Sequence, residues 1–298
     1  MDLPPKLRAL LDDLGRHDSV LWRRAMDAGI AHGPGAFVRH SPALFGVAFS
    51  ALLPRHRRAV RRNLRLALGP RGALEEYRDV ARVFASFASC LTEAFVAGGQ
   101  RGERISGLCL NDDNYVRASK QGAGVVIVTA HTGGWQAAGP LLQSVHAADV
   151  LMVMQRERDK RAQAVQDGAR DRVGVRVHHI DDDPLAALPL LAHLRRRGVV
   201  AVQIDRVPAR MRSREVELFG APWRVPEGPL HLAAVSGAPI VPVFTRRVRF
   251  MEYEVMIAEP ISLPRRPSPA ELDAAARRIA GEMERFVRAY PTQWFHFE

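Results

Sequence analysis

Residues 125–136 read VVIVTAHTGGWQ, and this stretch decides the architecture. Val125–Ala130 is a β-branched, apolar run too short for a helix and closed by glycines, which predicts a strand buried on both faces. Gly133-Gly134 supplies a tight turn, and helical spacing follows over Trp135–Val145. The same texture recurs outward along the chain. Val150–Met154, Val175–Ile180, Val199–Asp205 and Ile240–Thr245 read as further core strands. Helices are expected around Asp159–Arg172, Pro184–Arg197 and Pro229–Ser236, the last opening on a proline at its first position. Strands alternating with helices predict an α/β fold with a mostly parallel sheet flanked by helices. Phe250–Ala258 alternates Met251, Tyr253, Val255 and Ile257 with Glu252 and Glu254, as a half-exposed strand near an edge would. A helix over Pro269–Ala289 then leads into Trp294-Phe295-His296-Phe297. No internal repeat is present.

Upstream of residue 100 the pattern is helical. Tyr77, Val80, Phe84, Phe87, Leu91 and Phe95 step by three and four, predicting one buried stripe, with Gly69-Pro70 and Gly98-Gly99 as its bounds. We therefore divide the chain into a helical N-terminal region, 1–100, and an α/β core, 101–298. Ala43–Leu53 is the longest apolar run, bracketed by Pro42 and Pro54, and falls well short of the ~20 residues that span a bilayer. Arg55, Arg57, Arg58, Arg61, Arg62 and Arg65 follow it directly. Such a juxtaposition suits a helix lying on an anionic membrane surface, with Val60, Leu64 and Leu68 turned inward; an ordinary solvated basic face has the same pattern.

The chain has 298 residues, 47% of them hydrophobic and 25% charged, enough for a large core. Disorder and a small disulfide scaffold are excluded. A formal charge of +11 favours anionic partners. A nucleic-acid platform would need interleaved aromatic and basic residues, which are lacking, so no nucleic-acid partner is expected. Cys90 and Cys109 make no ligand or disulfide pattern, which fits a reducing compartment. MDLPPKLRALLDDLGRH has acidic residues where a signal peptide needs apolar ones, so no secretion signal is expected.

In open α/β sheets ligands collect beyond the carboxyl ends of the strands. His131 follows Val125–Ala130 and Asp205 ends Val199–Asp205. If those strands are parallel neighbours, an imidazole and a carboxylate share one edge, the arrangement of a general base and its orienting partner. Each alone has a plain structural reading, the Asp as a cap or ion pair. Thr132, Gly133 and Gly134 form a turn whose N–H groups could converge on an oxyanion, and Trp135 adds a wall. Glu227 in VPEGP precedes the helix at Pro229, where an acid also favours the helix dipole, and Gly228 shapes the turn. His178 and His179 are adjacent and point to opposite faces of a strand, so with Asp181, Asp182 and Asp183 they predict no metal site. Neither nucleotide-binding glycine fingerprint occurs.

His131–Gln136 resembles the H-x4-D/E motif of glycerolipid and lipid A acyltransferases, in the form found in lauroyl and myristoyl transferases and phosphatidylinositol mannoside acyltransferases. The resemblance extends through RHRRAVRRNLRLAL at 55–68, Asp205-Arg206, ELFGAPWRVPEGPLHLAAVSGAPIVPVFTRR at 217–247 and PTQWF at 291–295. It implies a glycerol-phosphate-acyltransferase-like fold and transfer of an acyl group from acyl-CoA or acyl carrier protein to a hydroxyl, or an amine, of a lipid acceptor. His131 would be the general base, Asp205 its acidic partner, and Arg156 and Arg206 contacts for phosphate, unless they serve surface or structural ion pairs. With it come no bound cofactor and a peripheral place on the cytoplasmic face of the inner membrane. One position departs. The motif carboxylate is here Gln136, which can orient the ring but brings no charge. That departure admits two alternatives: an acceptor such as an amino lipid or secondary metabolite, or a weakened lipid-binding homologue.

Overall fold

A computed structural model describes residues 20–99, 103–156, 160–172, 174–180, 184–208 and 211–298. In chain order the helices α1 Val20–His32, α2 Gly35–Leu52, α3 Pro54–Leu68 and α4 Ala73–Ala97 come first. The α/β part follows as β1 Ser106–Leu110, α5 Asp112–Ser119, β2 Val125–Thr129, α6 Trp135–His146, β3 Val150–Gln155, α7 Lys160–Arg172 and β4 Arg176–Ile180. It continues with α8 Leu188–Arg195, β5 Val199–Gln203, β6 Ser213–Leu218, β7 Ala221–Pro226, α9 Gly228–Ser236, β8 Ile240–Arg249, β9 Glu252–Ile257 and α10 Pro269–Ala289.

Among these residues one seven-stranded sheet has the order β1-β9-β8-β2-β5-β3-β4. β8, β2, β5, β3 and β4 are parallel, whereas β9 is antiparallel to β8 and carries β1 parallel to itself. This is the mostly parallel α/β sheet expected. All five residues of β2 are buried, and they divide between two cores by the two-residue period of a strand. Val126 and Val128 join Leu194 of α8, Leu230 of α9 and Ile279 of α10. Val125 and Ile127 join Val60 and Leu64 of α3, Phe84 of α4 and Leu141 of α6. The helices before residue 100 thus cover one face of the sheet.

Several elements differ from the sequence reading. β1 went unrecognised because its burial is inverted: Leu108 is 65% exposed, so no apolar alternation marks it. With β1 outside it, β9 lies one strand in from the edge, although Tyr253, Val255 and Ile257 are buried as its pattern predicts. The β6–β7 hairpin was also missed. Its turn is Phe219-Gly220, both at positive φ, the left-handed pair that two-residue hairpins prefer. The strand expected over Val199–Asp205 stops at Gln203.

The stripe on α4 is less uniform than its spacing predicts. Val80, Phe84 and Phe95 are buried, but Tyr77 is 54% and Phe87 38% exposed. Glu76 takes a buried place instead, because Arg61 and Arg65 of α3 reach it with contacts of 2.6 Å each. α4 is the one described helix long and apolar enough to cross a bilayer by length and composition, and half of that window is buried within the protein. Pro42 does not bound a helix; it lies inside α2, and the chain bends by 99° between α2 and α3.

Candidate active site

The β2–β5 ladder pairs Thr129 with Gln203. Two residues beyond each partner the chain leaves the sheet at the same edge, and there the His131 ring Nδ1 lies 2.8 Å from Asp205 Oδ1. The His131 backbone N–H also donates to Asp205 Oδ2, at 3.1 Å. The Asp205 side chain has no exposed surface, whereas that of His131 is 23% exposed. A buried carboxylate thus holds an accessible imidazole from two directions. With Nδ1–H given to Asp205, the neutral ring presents its Nε2 lone pair, the tautomer a general base needs.

Burial alone would push the Asp205 carboxyl up. The charge and hydrogen bond of His131, joined by the charge of the nearby His296, override it and hold the carboxyl well below the usual carboxylate range. Desolvation and charge pairing oppose one another here, and pairing prevails.

The glycines of the motif loop have a packing reason. A Cβ on Gly134 would stand 1.9 Å from the Tyr253 ring, and its φ is +72°. A Cβ on Gly133 would stand 2.0 Å from Gln293 Oε1. At Gly134 no side chain fits, and at Gly133 one would have to displace Gln293. Beneath the loop, Glu93 of α4, 1% exposed, accepts from Arg247 Nε at 2.7 Å, Met251 N at 3.0 Å and the Tyr253 hydroxyl at 2.5 Å. Gln293 clasps Arg247, accepting from its N–H and donating to its carbonyl. This polar bracket was not foreseen, since a lone Glu within an apolar helix gives no signal until its partners from β8 and β9 are in place.

The other expected site residues divide. Trp135 sets its ring edge-on to His131, centroids 6.0 Å apart. Gln136 makes no hydrogen bond to the imidazole. It lines a largely apolar hollow with Cys90, Ala137, Met152, Arg170 and Tyr253, and the side-chain hydrogen bond to the ring comes from Asp205. Burial and Glu93 push the Cys90 thiol up, which leaves it an inert wall. Arg156 follows β3 at the same edge of the sheet, two strands from His131. Arg206 pairs with Glu298 at 3.2 Å. Glu227 precedes α9 but makes no capping hydrogen bond; Arg214 at 2.8 Å and His231 at 3.2 Å hold it. Gly228 opens that helix, and a Cβ there would meet the Met211 side chain at an ordinary van der Waals distance. His178 bonds the Ala186 carbonyl and His179 pairs with Asp167; residues 181–183 lie outside the described set.

A family model for bacterial lipid A biosynthesis acyltransferases matches residues 24–298. The chain belongs to that family. Among curated proteins, phosphatidylinositol mannoside acyltransferases of two Mycobacterium tuberculosis strains are each 25% identical over 187 residues, 61% of this chain and 56% of theirs. The alignment therefore spans just over half the length of these relatives. Among solved structures, a 1-acyl-sn-glycerophosphate acyltransferase of Thermotoga maritima covers 92% of this chain and 98% of its own at 13% identity, with a TM-score of 0.38. That likeness is too low to carry over any residue or activity.

Proposed function

We propose that this member of the lipid A acyltransferase family transfers a fatty acyl group from an acyl thioester, acyl-CoA or acyl carrier protein, to a hydroxyl or amine of a lipid or glycolipid acceptor. His131 is the general base. The observation that carries the reading is the 2.8 Å contact of His131 Nδ1 with a fully buried Asp205, which leaves Nε2 as the ring nitrogen not committed to the carboxylate. Nε2 takes the acceptor proton, and the freed oxygen or nitrogen attacks the thioester carbonyl. The tetrahedral intermediate then collapses with cleavage of the C–S bond, and the thiolate recovers the proton from the imidazolium. Asp205 stabilises that imidazolium in place of the motif carboxylate that Gln136 lacks. No cofactor takes part.

The reading includes peripheral docking on an anionic lipid surface at the cytoplasmic face of the inner membrane. Supporting it, α2 exposes Leu44, Phe45 and Leu52 just before the arginines of α3, a pairing that suits an interface. Most of those arginines have protein partners, however. Arg57 bonds the Ser50 and Ala51 carbonyls, Arg61 and Arg65 bind Glu76, and Arg62 bonds the Glu298 carbonyl. Among the described residues, Arg55 and Arg58 are the arginines of α3 left for headgroups.

Free-thiol release from an acyl-CoA series, with a membrane lipid extract as acceptor, tests the chemistry. Wild type is expected to release thiol and His131→Ala to release none. Equal release by the two would end the reading.

A further inference from the structure

Asp205 Oδ1 is committed to the His131 ring, and the rest of the chain meets the pair at the other oxygen. Besides the His131 backbone N–H, the Trp294 indole Nε1–H donates to Oδ2 at 3.3 Å. The His296 ring lies beside it, its Nδ1 3.8 Å from Oδ2 and buried without a hydrogen bond. Trp294 and His296 stack on each other at 17°, and the Trp223 ring of β7 packs against both.

The segment after α10 is locked to the motif loop on one side and to α3 on the other. Phe295 N–H donates to the His131 carbonyl at 2.6 Å, and Trp294 bridges Thr132. Asn63 Nδ2 donates to the His296 carbonyl at 2.7 Å. The Phe295 and Trp294 ties share one target, the loop that carries the imidazole, and the Asn63 bond anchors the segment to α3.

A carboxylate that orients a base must itself be fixed. In water its spare lone pairs would be solvated; here the carboxylate has no exposed surface, and protein donors must take them. Trp294 is a donor only and rigid, so a bond to Oδ2 prevents rotation of the carboxylate away from the ring. We propose that Trp294, backed by the stacked ring of His296, is a positioning residue of the acyl-transfer site: it holds Asp205 through Oδ2 so that Oδ1 keeps the His131 ring aimed at the acceptor. The kinetic side of this proposal rests on the acyl-transfer reading; its structural side does not.

Trp294→Phe removes the N–H while keeping a ring against Phe219 and Trp223. In the resting protein, the His131 Nδ1–H proton resonance, assigned by its loss in Asp205→Asn, is expected to move in Trp294→Phe. In turnover, kcat is expected to fall by about 10- to 100-fold, the worth of a hydrogen bond to a charged group, with KM within about twofold. In an Asp205→Asn background the same substitution should cost less than about threefold, whereas a merely structural role would cost the same in both. His296→Ala removes the ring stacked on Trp294 while leaving the indole N–H in place, is expected to lose roughly two- to fivefold in kcat and to move the same resonance, and serves if Trp294→Phe does not fold.

Folded variants with an unmoved resonance and kcat within twofold of wild type would overturn the proposal, as would equal losses in both backgrounds. A wild type that transfers no acyl group, but whose resonance moves with Trp294→Phe, would retire the reaction and support the positioning.

Discussion

Thr129 and Gln203 are partners across the parallel β2–β5 ladder, and that register delivers His131 and Asp205 to one point. The strands are 74 positions apart in sequence, yet the distance between imidazole and carboxylate is set by two residues of chain on each side. Within this frame each neighbouring residue has a consequence that can be measured.

Asp205→Asn keeps the shape of the buried partner and removes its charge. The amide can also donate to Nδ1, which favours the wrong imidazole tautomer. Steady-state acyl transfer should fall by between about 10- and 10⁴-fold, the upper figure being the loss when the only orienting carboxylate of a triad is changed to its amide, with the fold retained by circular dichroism.

Gln136→Glu restores the family carboxylate in sequence without bringing it to the ring, because position 136 faces the hollow beside Cys90 and Tyr253. Turnover should stay within roughly threefold of wild type, since no transition-state contact is gained. A tenfold gain in kcat would show that the glutamate reaches the imidazole.

Gly134→Ala combines a positive φ with a 1.9 Å overlap on the Tyr253 ring. Left-handed backbone costs about 1–2 kcal/mol for a residue with a Cβ, and overpacking about 1–3 kcal/mol more. Denaturant unfolding should show a loss of roughly 2–5 kcal/mol and, because Tyr253 is also held by Glu93, reduced activity.

Glu76 reports on the junction of α3 and α4. The Arg65 hydrogen bond, against the opposing effect of burial and with help from Arg61 and the Arg71 N–H, lowers its pKa from 4.5 to about 2. A carboxyl depressed in the folded state contributes stability that is present above its unfolded pKa and lost as pH falls through the folded one. The urea midpoint of wild type should exceed that of Glu76→Gln above pH 4.5, and the difference should shrink as pH falls toward 2.

Vesicle flotation separates the two halves of the docking surface. Neutralising Arg55 and Arg58 should weaken binding to anionic vesicles and reduce its salt dependence. Leu44→Ser with Leu52→Ser should weaken binding at every salt concentration. Flotation unchanged by either pair would remove this face from the membrane reading.

The sequence by itself determined the α/β class, the core strands and the two residues worth examining, because these are written in local terms: β-branched runs of strand length, glycines after a strand, and polar residues at strand ends. Gly134 could be marked as a turn, and Asp205 as a candidate partner, before any coordinates. Only the tertiary structure decided that β2 and β5 are adjacent, that Gln136 lines a hollow and makes no hydrogen bond to the ring, and that four of six arginines on α3 are bound within the protein. It also brought Glu93, Trp294 and His296 to the motif loop, from elements with no pattern pointing there. Strand order and long-range hydrogen bonds depend on how whole faces pack, and a side chain's partner more than 80 residues away leaves no trace in the periodicity of its own segment.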